Sequence, residues 1–194
     1  MRVISGSARG RKLKAPPGMS TRPMADKIRE AAFSMLVSLG VVPERVLDLY
    51  AGSGSVGIEA LSRGAESVDF VEQNRVACEV IRDNLKTTGY ESRGRAHQSS
   101  VSSFLARVRQ PYDFVIMDPP YADPEIAATI ATLGSSLAVE DGTILLIGHS
   151  PRVEFPEQVG TLHCLRRRCH GDSCFSIFEV VIEESDAPHD ETEI

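Results

Sequence analysis

The tetrapeptide Asp118-Pro119-Pro120-Tyr121 directly follows the apolar run DFVIM, and its two consecutive prolines fix φ and donate no N–H. The Asp118 carboxylate and the Pro119 carbonyl are then rigid acceptors at a strand end. Such a pair suits an exocyclic amino group on a nucleic-acid base. That nitrogen is a poor nucleophile because its lone pair is delocalised into the ring. Two acceptors on its hydrogens draw it toward tetrahedral geometry and free the lone pair to attack an electrophilic methyl carbon. Tyr121 offers an aromatic face for a flipped base, and Asp118 can take up the released proton. Asp and Pro are also common turn residues. The place of this tetrapeptide, after a strand and roughly sixty residues beyond a glycine-rich turn, favours chemistry over a simple strand stop.

That turn is DLYAGSGSVG, residues 48–57, in which Gly52, Gly54 and Gly57 match G-x-G-x-x-G and let backbone amides approach a cofactor. Glu72 stands twenty positions after Gly52, at the end of the next strand, where it can accept from ribose hydroxyls. Dinucleotide-binding and S-adenosylmethionine-binding folds share both features. Asp48 separates them: its carboxylate would oppose a pyrophosphate, but it complements the ammonium and sulfonium of S-adenosylmethionine. Tyr50, Ala51, Ser53 and Gln73 fall within the same cofactor site, and Ser100, after the third strand, carries a hydroxyl that can accept a hydrogen bond.

These residues need a sheet to position them. From Val46 the chain alternates short apolar runs (46–50, 68–72, a weak 95–97, 113–117 and 143–147) with helical stretches at 55–63, 74–88, 101–109 and 124–138. Segments 162–168 and 174–182, joined at Gly171-Asp172, predict a closing antiparallel hairpin. The total is seven strands, mostly parallel, with helices on both faces. Ahead of them, residues 2–14 read as a small exposed β-hairpin, and Thr21-Arg22-Pro23 opens a helix that ends near Gly40. The division expected is a basic arm over 1–20, a catalytic domain over 21–182 and a disordered acidic tail over 183–194.

Charge is unevenly spread along a chain whose total is −6. Arg2, Arg9, Arg11, Lys12, Lys14, Arg22, Lys27 and Arg29 face only Asp26 and Glu30 in the first thirty residues, while the last twelve hold six acids and no Lys or Arg. A basic arm beside an acidic body suits a polyanion docked on one face, or serves solubility alone. No secretory h-region and no run of eighteen apolar residues appear, which predicts a cytoplasmic protein. The four cysteines include no C-x-x-C and are read as reduced thiols. His163, Cys164, Cys169, His170 and Cys174 lack zinc-knuckle spacing and are read as packing and turn positions, so no metal is expected.

Taken together, RVISGSARGRKLKAPPG, TRPMADKIREAAFSML, DLYAGSGSVGIEALSRGA and YDFVIMDPPY resemble the RsmD family of 16S ribosomal RNA guanine-N2 methyltransferases, over nearly the whole chain to about residue 182. The resemblance implies an α/β fold, Rossmann-like class I, with strand order 3-2-1-4-5-7-6. It also implies S-adenosylmethionine as methyl donor and 16S rRNA in the small ribosomal subunit or its assembly intermediate as substrate. Asp48, Gly52, Gly54 and Glu72 would hold the cofactor, and Asp118, Pro119, Pro120 and Tyr121 would receive the base. Arg2, Arg9, Arg11, Lys12, Lys14, Arg22 and Arg29 would meet RNA phosphates. Three positions depart from the family pattern: Ser99-Ser100 replaces an acid after the third strand, Tyr121 replaces a common Phe, and His170-Gly171 replaces Tyr-Gly. A monomer is expected. The residues alone leave open adenine-N6 or cytosine-N4 as the target. A NAD-linked oxidoreductase would leave Asp118-Pro119-Pro120-Tyr121 without a role, and a non-catalytic RNA-binding module would leave the glycine turn without one.

Overall fold

Period-two alternation of apolar side chains in the central strands divides the core between two faces of one sheet. The computed structural model describes residues 1–17, 26–119 and 126–182. In chain order these form α1 (Asp26–Ser38), β1 (Arg45–Leu49), α2 (Ser55–Arg63), β2 (Ser67–Glu72), α3 (Arg75–Thr88), β3 (Gly94–Gln98) and α4 (Val101–Leu105). They continue with β4 (Phe114–Met117), α5 (Ile126–Gly134), β5 (Ile144–His149), β6 (Gln158–Val159), β7 (Leu162–His170) and β8 (Ser173–Val180). Val46, Phe70, Phe114, Ile116, Leu146 and Ile177 pack with α1, α2 and α3, whereas Leu47, Val71, Val115, Leu145 and Phe178 pack with α4 and α5.

The eight-stranded sheet has the order β3-β2-β1-β4-β5-β8-β7-β6. β1 to β5 are parallel, and β8, β7 and β6 follow with antiparallel pairing. The order differs from the seven-stranded expectation only by β6, a two-residue edge strand too short to leave an alternation signal. α4 stops at Leu105 and α5 at Gly134, short of the expected 109 and 138.

The N-terminal segment departs more from its expectation. Arg2 and Lys12 pair antiparallel, with Val3 N–H donating to Arg11 and Gly10 N–H to Val3, so a hairpin-like turn forms. It is docked, however, with Val3, Ala8 and Leu13 inside the α1–α3 core. Backbone N–H groups of Ile4 and Ser5 donate to the Glu59 carboxylate at 2.8 and 3.0 Å, Ala8 donates to Ser62 Oγ, and Lys14 donates to Asn84 Oδ1. These partners lie more than fifty residues away, beyond the reach of local pattern.

A disulfide joins Cys169 and Cys174, correcting the reading of these two as reduced thiols; Cys78 and Cys164 are free. The physical reason is register. The two face each other across β7 and β8, one pair before the Gly171-Asp172 turn, with Cα atoms 4.0 Å apart. No helix among the described residues is long and apolar enough to cross a membrane.

Candidate active site at the carboxyl edge of the sheet

β1, β2 and β4 end in register, since Leu49 pairs with both Val71 and Met117, so Tyr50, Glu72 and Asp118 emerge side by side. The turn after β1 takes Gly52 to φ 55° and Gly54 to φ 73°, the left-handed region that favours glycine. The third glycine has a different job. A Cβ on Gly57 would lie 2.4 Å from the Phe70 ring and 2.9 Å from Asp48 Oδ2, so only a bare backbone lets α2 sit against β1 and β2.

Asp48 is 2% exposed and its Oδ2 accepts from Gly57 N–H at 3.0 Å. Burial pushes its pKa up to about 8; the Gly57 N–H opposes this, while the charges of Asp118 and Glu72 add to it. Among the described residues no basic side chain forms an ion pair with Asp48. Glu72, also buried, accepts from Gly52 N–H at 3.0 Å through one oxygen and from Asn74 N–H at 2.7 Å through the other. It therefore ties the glycine turn to the end of β2. Asp118 is half-buried and Pro119 is buried. Three carboxyl groups thus stand at one rim.

Tyr50 has φ 58°, a left-handed conformation that costs a non-glycine residue roughly 1–2 kcal/mol. Its hydroxyl lies 3.1 Å from Thr129 Oγ1 of α5, an anchor for the strained turn. Ala51 N–H donates to Val71, and Ser53 is buried with its carbonyl held by Asn84 Nδ2 at 3.0 Å. Gln73 is exposed beside Glu72. Ser100 caps α4 by accepting from Ser103 N–H, and Ser99 N–H donates to the Glu72 carbonyl, which brings the 99–100 turn to the same rim. Pro120, Tyr121 and Arg22, and the expected acidic tail, lie outside the described residues.

Among the expected RNA contacts, Arg2, Arg9, Arg11, Lys12 and Lys14 are exposed; Arg11 donates to the Thr87 carbonyl, and Lys14 pairs with Asp83 at 2.7 Å. Arg29 is a correction. It is fully buried, donating to the Arg2 carbonyl and to Asp26, with Glu59 3.7 Å away. Glu59, buried and facing it from α2, supplies the countercharge that draws Arg29 inward, so it cannot face RNA. Ile28, Arg29, Ala32, Phe33 and Leu36 form one buried stripe, and the position of Arg29 within that helical period was the overlooked signal.

Two further features escaped the sequence reading. His97 Nε2 lies 2.6 Å from Asp69 Oδ1 and Tyr112 donates to Asp69 Oδ2 at 2.9 Å, with the Arg45 guanidinium 4.7 Å above the Tyr112 ring. These residues line a cleft of about 500 Å³ on the α4 face. The second is Arg166-Arg167-Arg168, exposed on β7.

A parallel α/β sheet closed by an antiparallel β5-β8-β7 end, with a carboxylate rim over a glycine turn, defines the class: a Rossmann-like methyltransferase fold, shared with a solved Escherichia coli protein provisionally named a methyltransferase, which superposes with TM-score 0.80 at 29% identity and covers 94% of this chain and 99% of its own. Within that class the chain belongs to the family described as Conserved hypothetical protein 95, which matches residues 1–179. It is 36% identical over 182 residues to YlbH of Bacillus subtilis strain 168, provisionally named an rRNA methyltransferase, covering 92% of this chain and 98% of that one. It is 30% identical over 188 residues to ribosomal RNA small subunit methyltransferase D of Escherichia coli strain K12, covering 96% and 94%. A solved hypothetical protein of Thermus thermophilus superposes with TM-score 0.78 at 29% identity, covering 93% of this chain and 99% of its own.

Proposed function

We propose that the protein transfers a methyl group from S-adenosylmethionine to the exocyclic N2 amino group of a guanine in 16S rRNA, acting in the cytoplasm on the small ribosomal subunit or its assembly intermediate. One observation carries this reading: strand register brings Asp48, Glu72 and Asp118 to the glycine turn, and among the described residues no basic side chain forms an ion pair with Asp48. That donor set fits a ligand with an ammonium and a sulfonium and repels the pyrophosphate of a dinucleotide. The names of the two curated relatives support an rRNA substrate, and the guanine-N2 target rests on the family resemblance.

Asp48 and the glycine turn at residues 51–54 would seat the methionine end, Glu72 the ribose, and Ser99-Ser100 the adenine side. The cofactor supplies a methyl carbon made electrophilic by the sulfonium. The chain's own residues do the rest. The Asp118 carboxylate and Pro119 carbonyl accept hydrogen bonds from the two amino hydrogens and so localise the nitrogen lone pair. Tyr121 stacks on the extruded base, and Asp118 accepts the proton released as nitrogen becomes positively charged.

The test is incubation with tritiated-methyl cofactor and, separately, unmodified small subunits, naked 16S rRNA and DNA, followed by nucleoside analysis. N2-methylguanosine formed from the ribosomal substrate is the expected product. Label in N6-methyladenosine or N4-methylcytosine would reassign the base, and an absence of label in every arm would remove the methyltransferase reading.

A further inference from the structure

The expected RNA-binding arm is partly spoken for: Arg29 is buried, Lys14 is paired with Asp83 and Arg11 is bonded to Thr87. The strongest positive surface without an acidic partner among the described residues lies on β7, where Arg166 Nη1 donates only to the Leu165 carbonyl of its own strand. Arg166, Arg167 and Arg168 are consecutive and exposed, and among the described residues no acidic side chain forms an ion pair with any of them.

Register places this triplet at the catalytic end of the sheet. Met117 of β4 pairs with Ile147, Ile147 with Ser176 of β8, and Ser176 with Arg167. One residue further along, the row that continues from Asp118 passes through Gly148 and Phe175 to Arg168. Asp118 and Arg168 are therefore level, three strands apart, roughly 14 Å at ordinary strand spacing. β7 runs in the same direction as β5, since both are antiparallel to β8, so the triplet approaches the edge that carries the carboxylate rim.

A bulge aims the side chains. The β7–β8 register shifts between Cys164 and Arg166, leaving Leu165 as the extra residue. After it, Arg166 and Arg168 stand opposite Ile177 and Phe175, on the sheet face that also carries the docked N-terminal segment. Arg167 alternates to the other face, where its Nη2 donates to the Val153 carbonyl at 3.1 Å and braces the loop after β5. Without the bulge, Arg166 would fall opposite Ser176 on the opposite face.

The geometry points to Arg166 and Arg168 as a phosphate clamp for the RNA strand that flanks the base delivered to Asp118, with Arg167 positioning the adjoining loop. This surface rests on the proposed RNA substrate. Guanidinium forks match phosphate oxygens, and cations level with the acceptor hold the backbone beside an extruded base without reading its sequence.

Edge-strand arginines also deter strand-to-strand aggregation, and charge reversal separates the two roles. R166E/R168E keeps a charged edge and inverts its sign toward RNA. The measurement is binding of unmodified 16S rRNA across a salt series, with cofactor affinity measured separately by calorimetry. For R166Q/R168Q, the slope of log affinity against log salt should fall by about 0.7–0.9 for each phosphate no longer neutralised. R166E/R168E should bind RNA more weakly still, R166K/R168K should keep most of the slope, and cofactor affinity should stay at the wild-type value throughout. An unchanged slope and affinity in folded R166Q/R168Q overturns the clamp even if the enzyme methylates RNA. A reduced slope in a protein that methylates no RNA keeps the clamp and discards the methyltransferase reading.

Discussion

Asp48 and Asp69 are aspartates on neighbouring strands of one sheet, one register step apart, since Leu47 pairs with Asp69 and Asp48 with Phe70. Their environments drive them in opposite directions. Asp69, on the α4 face, is held below the ordinary carboxylate range despite its burial, because His97 and Tyr112 bond to it and the Arg45 charge adds to the effect. Asp48, on the α2 face, is pushed up to about 8 by burial, reinforced by the charges of Asp118 and Glu72, and the Gly57 N–H that opposes the rise is a neutral donor. Asp69 is thus a finished structural knot, in which Tyr112 is itself pushed to higher pKa by burial and by the carboxylate it serves. Asp48 is an unfinished one, which the cationic cofactor of the proposed function would complete. Burial alone does not mark a functional acid; burial without a counterion does.

The contrast between the two aspartates is tested hardest at the third carboxylate of the rim. Asp118→Ala should lower methyl transfer by about 100- to 1000-fold, the ordinary loss for one preorganised group at the reacting centre. It should also bring the Asp48 pKa down, since Asp118 is one of the charges raising it; a normal turnover rate would remove Asp118 from the chemistry.

Asp48→Asn keeps the shape and the acceptor for Gly57 but deletes the charge. Cofactor affinity should fall on the order of 10- to 100-fold, as expected when a charge-assisted hydrogen bond is removed. Wild-type affinity should rise with pH toward about 8 and level off above it, because a cation must displace the proton on Asp48; the Asn variant should show no such rise in calorimetry. Stability of the ligand-free protein runs the opposite way. A raised pKa means this contribution is whole below the ordinary 3.8 and is lost as pH climbs through about 8, so thermal melts of the ligand-free protein should soften over that window in wild type more than in the variant.

Asp69→Asn should do the reverse, costing about 1–3 kcal/mol of stability in denaturant titrations by leaving His97 and Tyr112 poorly partnered, with cofactor affinity unchanged. Because its pKa is depressed, the Asp69 contribution is present above 3.8 and lost as pH falls through the folded value. The smallest effect belongs to Tyr112→Phe, about 1 kcal/mol, for the loss of one hydrogen bond to Asp69. A change in cofactor affinity from either Asp69 or Tyr112 would erase the distinction between the two aspartates.

Much of this was legible from residues alone, and the failures share a cause. α2 falls on the expected 55–63, and β1, β2 and α3 lie within a residue of their expected bounds, because periodicity and the glycine turn are local signals. The placement of Asp48 and Glu72 beside the glycine turn was legible from spacing, and each accepts a backbone N–H of that turn, Gly57 and Gly52 respectively. Asp69 was not legible, since its meaning depends on His97, in a strand with almost no apolar pattern, and on Tyr112 beyond α4. Arg29 was misread because composition assigns arginine to the surface, whereas Glu59 on another helix supplies its countercharge. The Cys169–Cys174 bond was hidden for the opposite reason. Its spacing is local and the turn at 171–172 is expected, but the expected first strand of the hairpin ends at 168, two residues short of the observed end at His170, which leaves Cys169 outside the hairpin register.

Chain ends ordinarily fray first. Here the amides of Ile4 and Ser5 are held by a carboxylate that is itself 0% exposed, and that of Ala8 by a buried serine. Their deuterium uptake should therefore be as slow as that of the central strands, so that two or three positions at the very beginning of the polypeptide act as reporters for the opening of the whole domain.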